Sequence, residues 1–346
     1  MTNKFPMTLL AQLDDVAVFQ TAAFASADVE NIVFESSDFE GVACESLSFD
    51  KADQKMRQSE QASYGELNLG LHVNDDATQV LTHRMRLLAA INQQLKVQPL
   101  TLQRSPITSL HWVNQVHGKQ ICEVDTRALS MRPVAADAMV SQQSGIGLAI
   151  MTADCVPIVL YQPSTRKIAA IHAGWQGLAC GVIKATAERF ASSEPIMAWI
   201  GVCISQENYE VGHQVRDQLL AGCQENKSLA PSNIDNFEQL YAVDSQSDVE
   251  TNVQSDDHIK LGRLHKTVDK LSNIAKVSTS KVKLNLPKLA VDQLENAGIT
   301  VNNDMLIECS YADPRYYSYR RQTHLQQLAT GRMALIIVRH PPIAAI

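Results

Sequence analysis

Three short motifs of this sequence place side chains that can bind a metal or attack a substrate at the ends of apolar runs. NQVHG, TADCVPIVL and HAGWQG contribute His117, Cys155 and His172. In each motif a strand-like run meets a turn of small residues, and strand ends deliver side chains to a common cleft. These three side chains are therefore the candidates for a common catalytic site.

Two imidazoles and a thiolate are the nitrogen and sulfur donors that Zn²⁺ prefers. Three protein ligands leave one position for water or substrate, which is the arrangement of catalytic rather than structural zinc. Zinc lowers the pKa of bound water from about 16 to about 7, so that hydroxide forms at neutral pH. The candidate ligands lie 38 and 17 residues apart, and no local motif enforces that spacing. Three unrelated residues in turns and core are the alternative.

The same residues also allow nucleophilic chemistry without a metal. Cys155 can act as a nucleophile with His172 or His117 as its base. An enzyme of this kind would cleave amides, for example in cell-wall precursors. A stoichiometric zinc content would count against this alternative, because a zinc-bound thiolate is occupied.

The composition limits the class of protein. Of the 346 residues 45% are hydrophobic, which is enough to build a sizeable core and excludes a disordered or collagen-like chain. The 37 acidic residues outnumber the 30 basic ones, for a net charge of −7, which disfavours a nucleic-acid partner. We therefore expect no nucleic-acid partner.

The cysteines and the N-terminus bear on the cellular compartment. Seven scattered cysteines without a C-x-x-C pair indicate reduced thiols rather than a disulfide scaffold. The N-terminal MTNKFPMTLLAQLDD lacks the long apolar region of a secretory signal, and no run of about 18 apolar residues predicts a membrane span. We expect a cytoplasmic protein with no membrane contact.

Apolar periodicity predicts sheets flanked by helices. Alternation in LNLGLHV predicts a half-buried strand at 67–73. Further strands are expected at 16–19, 32–34, 110–114, 147–151, 156–161, 168–172, 196–202, 304–308 and 333–339. Helices are expected at 77–95, at 178–190, from near 212, and at 288–297. Several connections are too short for parallel crossovers, which favours mixed or antiparallel sheets.

The chain is expected to consist of an N-terminal extension at 1–63, carrying an edge hairpin and a mobile loop, and one large domain at 64–340. The pattern changes between about 223 and 283. Residues 225–257 hold eight acids against one Lys, and residues 258–283 hold seven basic residues against one Asp. Charge-rich sequence with few large apolar residues predicts an inserted, solvated segment of low complexity.

The motifs, in this order, resemble signature blocks of the YfiH/DUF152 family, also called multicopper polyphenol oxidoreductase or laccase-domain proteins. LNLGLHVNDD is similar to the family's LNLGxHVGDD. GIGLAIMTADC, NYEVG, YYSYRR and TGRMA resemble further blocks. The resemblance covers residues 65–223 and 284–340, and several motifs in fixed order are far more specific than one pattern.

The resemblance implies an α/β (α+β) fold of the CNF1/YfiH-like type, a layered α/β/β/α sandwich with mixed sheets. It implies one catalytic zinc ion held by His117, Cys155 and His172. It also implies phosphorolysis of adenosine, inosine, guanosine and methylthioadenosine, with purine nucleoside and phosphate as substrates, and hydrolytic deamination of adenosine. The copper label fits poorly, because laccases need several copper ions with many His ligands and this sequence has no H-x-H pair.

Three further residues have open roles. Arg84 can clamp phosphate, because a guanidinium is always charged and forks onto oxyanions, or it can be a solvated residue on a helix face. Asn68 can bind substrate or its own turn. Asp154, beside Cys155, can orient a histidine, cap a turn or shuttle a proton, so the general acid/base is unassigned.

Two departures from the family pattern support a third interpretation, a non-catalytic relative with a decayed pocket. HAGWQG has Gln176 where the family has Arg, which removes a cation that can help to hold an anion. NYEVG has Asn208 where the family has Cys. Retention of all three ligand positions argues against this interpretation.

Overall fold

The computed structural model describes most of the 346-residue chain. The described residues are 5–25, 64–96, 105–126, 133–191, 194–245, 281–302 and 307–341. The strands are β1 (Met7–Leu13), β2 (Val16–Thr21), β3 (Ser109–His111), β4 (Ile121–Glu123), β5 (Ala138–Ser141), β6 (Ile146–Thr152), β7 (Val156–Gln162), β8 (Lys167–Ala173), β9 (Ile196–Ile200), β10 (Glu210–Gly212), β11 (Ala242–Asp244), β12 (Lys281–Leu284), β13 (Ile299–Val301) and β14 (Met333–Arg339). The helices are α1 (Ala77–Lys96), α2 (Trp175–Ala179), α3 (Val182–Ala187), α4 (His213–Asn226), α5 (Pro231–Asp235), α6 (Phe237–Tyr241), α7 (Leu286–Asn296) and α8 (Tyr319–His324).

Two large sheets organise the described part of the chain. One has five strands in the order β1-β2-β14-β6-β3, the other has six in the order β13-β9-β7-β8-β5-β4, and β10-β12-β11 form a small third sheet. Both large sheets are mixed, since β3 runs parallel to β6 while β14 runs antiparallel to it, and β4 runs parallel to β5 while β7 and β8 are antiparallel. The prediction of mixed sheets is confirmed.

The two large sheets pack face to face, with helices on their outer faces. Leu148 and Ile337 of the five-stranded sheet meet Val159 and Ile168 of the six-stranded sheet in a shared apolar core. Helix α1 covers the outer face of the five-stranded sheet, and α2, α3, α4 and α7 cover that of the six-stranded sheet. The α/β/β/α sandwich is therefore confirmed. Within the described ranges, no helix combines the length and apolar character that crossing a membrane requires.

The N-terminal residues belong to the five-stranded sheet. β1 and β2 form a hairpin in which β1 is the edge strand and β2 pairs antiparallel with β14. This confirms an edge hairpin before residue 64. The strand expected at 32–34 lies outside the described residues.

The strand predicted at 67–73 is wrong. Leu67, Asn68, Leu69 and Gly70 are all buried, so the alternation of the letters does not correspond to alternate exposure. Their polar groups bond side chains and single backbone groups instead of a strand ladder; for example, the Leu69 N–H donates to the carbonyl of Arg332 at 3.0 Å. A loop that is buried on both sides can show the same alternation of apolar and polar residues as a half-buried strand.

The single helix predicted at 178–190 is instead two short helices, α2 and α3. The chain turns at Gly181, whose φ of 78° lies in the left-handed region that breaks a helix. This turn also brings the chain against Asn226, since a Cβ at Gly181 would lie 3.2 Å from the Asn226 Cβ. Close packing of α4 therefore explains the break.

The first part of the predicted solvated segment is folded. Residues 223–245 form the end of α4, then α5, α6 and β11. Leu229, Phe237 and Tyr241 are buried in the core under the six-stranded sheet, so these residues are part of the folded domain. The basic block lies outside the described residues up to 280, and the strand expected at 304–308 falls largely outside them.

Candidate metal centre

Cys155 and His172 lie at the same edge of the six-stranded sheet. β7 and β8 are antiparallel neighbours, with Val156 opposite Ala173 and Pro157 opposite His172. Cys155, just before β7, therefore faces the end of β8 that carries His172. The core strands fix this pair at positions that the sequence places 17 residues apart.

His117 reaches the same place from the loop between β3 and β4. Its φ of 61° lies in the left-handed region, which is uncommon for a residue with a side chain. One ligand atom each from His117, Cys155 and His172 lies within 4.8 Å of the others. The two imidazole centroids are 4.7 Å apart, with the rings nearly perpendicular at 81°. The three predicted ligands therefore converge.

Asp137 connects the two histidines. Its side chain is fully buried, and its Oδ1 accepts a hydrogen bond from His172 Nδ1 at 2.9 Å. The same carboxylate accepts the consecutive backbone N–H groups of Val116, His117 and Gly118 at 3.1, 2.9 and 2.6 Å. With Nδ1 donating to Asp137, Nε2 of His172 is left for a metal. The bonds to the loop also explain how His117 holds its left-handed conformation.

The electrostatics of this group favour a thiolate. Burial raises the pKa of Cys155, but the charges and hydrogen bonds of His172 and His117 outweigh burial and lower that pKa to about 6. Burial lowers the pKa of His172, whereas Cys155 and Asp137 raise it to about 9. The neighbouring imidazoles therefore favour the thiolate of Cys155, and a thiolate is the form of Cys that binds metals.

Gly174 leaves room for two of the ligands. A Cβ at this position would lie 3.0 Å from the Sγ of Cys155 and 3.3 Å from Cδ2 of His117. Its φ of −71° is ordinary, so space rather than backbone conformation requires glycine here. Gly174, the first glycine of HAGWQG, is therefore needed for the close packing of Cys155 and His117.

The side chain of Asn68 holds its own loop in place. Its side chain is fully buried, its Oδ1 accepts the N–H groups of Gly70 and Arg332 at 2.9 Å each, and its Nδ2 donates to Asp75 at 2.8 Å. These bonds use both ends of the amide. The geometry favours the alternative in which Asn68 holds its own turn.

Arg84 also holds this loop. Its Nε and Nη2 donate to the carbonyl of Leu69 at 3.0 and 2.7 Å, and its guanidinium stacks 4.2 Å from the centre of the Trp112 ring. Burial lowers the pKa of Arg84 to about 10. Arg84 is therefore half-buried and held by structural bonds, and a direct contact with substrate stays a prediction.

Both carboxylate oxygens of Asp154 bond the C-terminal block, and Asp154 is not among the clustered metal ligands. Its Oδ1 accepts from the hydroxyl of Ser310 at 2.7 Å, and its Oδ2 accepts from the backbone N–H of Arg320 at 2.7 Å. It therefore anchors the C-terminal block, including the start of α8, to the turn that carries Cys155. Its φ of 104° is unusual for an L-residue. Of the roles considered for it, the geometry matches the cap.

Sequence reasoning assigned no functional role to four residues around the cluster: Asp137, His72, Arg332 and Tyr209. Burial lowers the pKa of His72, and positive charge on Arg332, Arg84, His117 and His172 lowers it further, which places this imidazole beside the site. Burial raises the pKa of Tyr209, and negative charge on Cys155 adds to the rise.

The sequence motifs contained signals for these missed residues. His72 lies in LNLGLHVNDD and Tyr209 in NYEVG, both blocks that carry the family resemblance. Their positions near the metal ligands depend on chain segments far apart in sequence. The letters therefore mark them as candidates without locating them.

The donor set fits one metal ion with open coordination. Within the described part of the chain, His117, Cys155 and His172 are the one group of His, Cys, Asp and Glu able to hold a metal. Nitrogen, sulfur and nitrogen donors suit zinc. The described residues do not supply the many histidines that a centre of several copper ions needs.

Comparison with known proteins places these features in a family. The sequence model described as multi-copper polyphenol oxidoreductase laccase matches residues 53–257 and 260–340. A Pseudomonas aeruginosa protein named purine nucleoside phosphorylase PA4543 is 37% identical over 169 residues, covering 49% of this chain and 62% of that protein. The Escherichia coli purine nucleoside phosphorylase YfiH is 37% identical over 159 residues, 46% of this chain and 59% of that protein. The matched stretch thus spans about 60% of these relatives' length.

Solved structures share the fold along nearly the whole chain. The Neisseria meningitidis protein NMB0706, described as DUF152, superposes with a TM-score of 0.60 at 22% identity, covering 97% of this chain and 100% of that one. A Bacillus licheniformis protein described as hypothetical protein YfiH gives a TM-score of 0.59 at 20% identity, covering 96% of each chain. With the sequence-model match over most of its length, the chain belongs to the YfiH/DUF152 family, the multi-copper polyphenol oxidoreductase laccase proteins.

Proposed function

We propose that this chain is a zinc-dependent purine nucleoside phosphorylase that also deaminates adenosine. The observation that carries the proposal is the convergence of His117, Cys155 and His172, with donor atoms within 4.8 Å of one another. Relatives with purine nucleoside phosphorylase in their names support the reaction class. The proposed substrates are adenosine, inosine, guanosine and methylthioadenosine, with phosphate as the second substrate.

The chain's own residues set up the site. Asp137 fixes the ring of His172 through Nδ1 and holds the loop that presents His117. Cys155 contributes a thiolate, since its pKa is lowered to about 6. When bound, a zinc ion supplies a Lewis acid that polarises an oxygen of substrate or water.

The bond changes define what the site has to do. In phosphorolysis a phosphate oxygen bonds to C1′ of the sugar while the bond from C1′ to the purine breaks, and the purine leaves with a proton. In deamination water adds at C6 of adenine and ammonia leaves. The zinc deaminase signature of H-x-E with P-C-x-x-C is absent from the sequence, so deamination here uses a different set of residues.

A Cys/His amide hydrolase is the second candidate, and one observation favours it. Cys155, His172 and Asp137 form a nucleophile, base and carboxylate series, in which Asp137 binds Nδ1 of His172 at 2.9 Å. This is the arrangement by which cysteine hydrolases activate their nucleophile. The position of His117 within the same cluster favours metal binding instead, because a nucleophile with one base does not need a second imidazole.

The test combines elemental analysis of the purified protein with product analysis after incubation with adenosine and phosphate. The proposal expects about one zinc per chain, with adenine and ribose 1-phosphate from phosphorolysis and inosine from deamination. A metal-free protein that cleaves amides would establish the hydrolase. Full zinc without either purine product would establish the non-catalytic relative.

A further inference from the structure

Positive groups converge beside the metal centre on the loop at 67–72. The Leu69 carbonyl accepts from Arg84, and the Leu69 N–H donates to the backbone carbonyl of Arg332. The Arg332 N–H in turn donates to Asn68 Oδ1 at 2.9 Å. The loop therefore runs between two arginines and carries His72 next to them.

Among the described residues, Arg332 forms no ion pair. Its Nη1 donates to the carbonyls of Thr330 and Gly331 at 3.1 and 3.0 Å. Among the residues that the structure describes, no carboxylate oxygen lies within 4.0 Å of its guanidinium. Burial lowers its pKa, and the groups that oppose this effect are led by Cys155 and Asp154. Arg332 immediately precedes Met333, which pairs with Thr152 of β6, three residues before Cys155. A half-buried guanidinium within electrostatic reach of that thiolate, with no carboxylate partner among the described residues, is suited to an anionic ligand.

His72 extends the same positive surface. Its imidazole is exposed and lies within the electrostatic reach of Arg332, Arg84, His117 and His172. No hydrogen-bond partner occupies it among the described residues. An imidazole offers one N–H donor to an oxyanion even when it is neutral. An anion bound here would therefore receive donors from Arg332 and His72 while it lies next to the metal ligands.

Gly70 sets the position of Arg332. A Cβ at this glycine would lie 2.8 Å from Cγ and 3.2 Å from Cβ of Arg332. These are atoms at the base of the arginine side chain, which cannot move aside as its tip can. The glycine of the LNLG motif thus leaves room for the base of the Arg332 side chain beside the loop.

We propose that Arg332 and His72 form a subsite for inorganic phosphate beside the metal centre. The assignment rests on the proposed phosphorylase function, in which a phosphate oxygen attacks C1′. Phosphate is a compact dianion with oxygens on every side, so a guanidinium and an imidazole can bind different oxygens while another faces the sugar. The subsite also supplies positive charge that Gln176, in place of the family's Arg, does not.

The first test is the steady-state kinetics of phosphorolysis with phosphate varied. Arg332→Gln is expected to raise the KM for phosphate about 10- to 100-fold, because a hydrogen bond to a charged group contributes about 1.5–3 kcal/mol. His72→Gln is expected to raise it about 3- to 10-fold, in line with one neutral donor. In both variants the KM for the nucleoside and the metal content stay near the wild-type values.

Gly70→Ala and Arg189→Gln sharpen the test. Gly70→Ala keeps the charge of Arg332 and displaces its stem, so it is expected to raise the phosphate KM in the same direction. Arg189→Gln removes one exposed positive charge that pairs with Glu123, and it is expected to leave the phosphate KM unchanged. A phosphate KM within about twofold of wild type in both Arg332→Gln and His72→Gln would overturn the proposal.

Calorimetric titration separates the subsite from the reaction. Binding of inorganic phosphate to the purified wild-type protein, lost in Arg332→Gln, would support the subsite even if phosphorolysis were undetectable. Phosphorolysis with an unchanged phosphate KM in the variants would remove the subsite and leave the proposed function standing. Binding of adenosine 5′-monophosphate without binding of inorganic phosphate would also overturn it, by assigning the cations to a phosphoryl group on the substrate.

Discussion

The two sides of the metal centre are built in different ways. Cys155 and His172 lie at the ends of β7 and β8, which pair along seven registered positions in a buried sheet. His117 and His72 lie on loops, are exposed, and approach from segments that do not belong to that sheet. The strand side is placed by the core, whereas the loop side is placed by a few hydrogen bonds to buried polar groups.

The two sides therefore differ in what a substitution changes. On the strand side it changes the identity of a ligand, and on the loop side it changes the position of one. The strand side would keep its two donors in place even if the loop moved. The loop side depends on Asp137, which holds the His117 turn, and on Asn68 and Arg332, which hold the loop of His72. We expect that substitutions of the strand-side ligands abolish metal binding and that substitution of Asp137 weakens it.

The largest effect is expected from Cys155→Ala on the strand side. The variant loses its one thiolate ligand, so we expect loss of stoichiometric zinc and a fall in turnover of at least about 10³-fold. The fold is retained, because the side chain is small and lies at a strand end. Elemental analysis, circular dichroism and product assays check this. Full activity in Cys155→Ala would contradict the assignment.

Asp137→Asn is expected to lower zinc affinity by loosening both His172 and the loop that carries His117. An amide cannot accept from His172 Nδ1 and from three backbone N–H groups with the strength of a carboxylate, so zinc affinity should fall about 10- to 100-fold. Competition with a zinc chelator measures this change.

The matched control for that variant is Asp15→Asn. Asp15 accepts from Tyr161 and Arg339 at 2.8 and 2.9 Å at the opposite end of β14. This substitution should lower stability and leave zinc affinity unchanged. Equal loss of zinc affinity in both variants would show that Asp137 acts only through global stability.

Gly174→Ala is expected to have a smaller effect on the junction between the two sides. The added Cβ would lie 3.0 Å from the sulfur of Cys155 and 3.3 Å from His117, so both ligands must shift by a few tenths of an ångström. We expect zinc affinity to fall about tenfold, equivalent to about 1.4 kcal/mol. Gly212→Ala is the control, because its nearest contact would be 3.8 Å from Gln214. Unchanged affinity in Gly174→Ala would remove the steric argument.

The smallest effect on the site is expected from pH-dependent changes at Asp15. Burial raises the pKa of Asp15, but hydrogen bonds from Arg339 and Tyr161 outweigh burial and hold it below 3.8. A carboxyl with a lowered pKa in the folded state stabilises that state above the unfolded pKa, and the stabilisation is lost as pH falls through the folded value.

The expected measurement is therefore a pair of denaturant titrations. Asp15→Asn should lower the free energy of unfolding by about 1–3 kcal/mol at pH 7, and the difference from wild type should shrink below about pH 4. A difference that grows as the pH falls would contradict this account. In either case zinc content at pH 7 should match the wild type.

Sequence patterns predicted the strands that are buried along their length and the helix that is buried on one face. The apolar runs of β6, β7, β8 and β14 are buried along almost their whole length, and α1 buries Val80, Leu87 and Ile91 at helical spacing. The loop at 67–73 was predicted as a strand because its apolar and polar residues alternate as they do in a half-buried strand. Its first four residues are nevertheless all buried. The break at Gly181 depends on α4, which is remote in sequence.

The sequence predicted which residues bind the metal, but not which residues hold them in place. Three motifs at strand ends identify His117, Cys155 and His172, and the structure brings them together. Asp137 escaped prediction because its partners lie 20 and 35 residues away and no fixed spacing marks a carboxylate that bridges a loop and a strand. The family resemblance added the chemistry that the spacing of the ligands leaves open.

The central claim is that two imidazoles and one thiolate bind a single zinc ion, and elemental analysis of the purified wild-type chain tests it most directly. The account predicts about one zinc per chain, without copper in comparable amount. A chain that retains no zinc under conditions that saturate known zinc enzymes, or one that carries several copper ions, would contradict it.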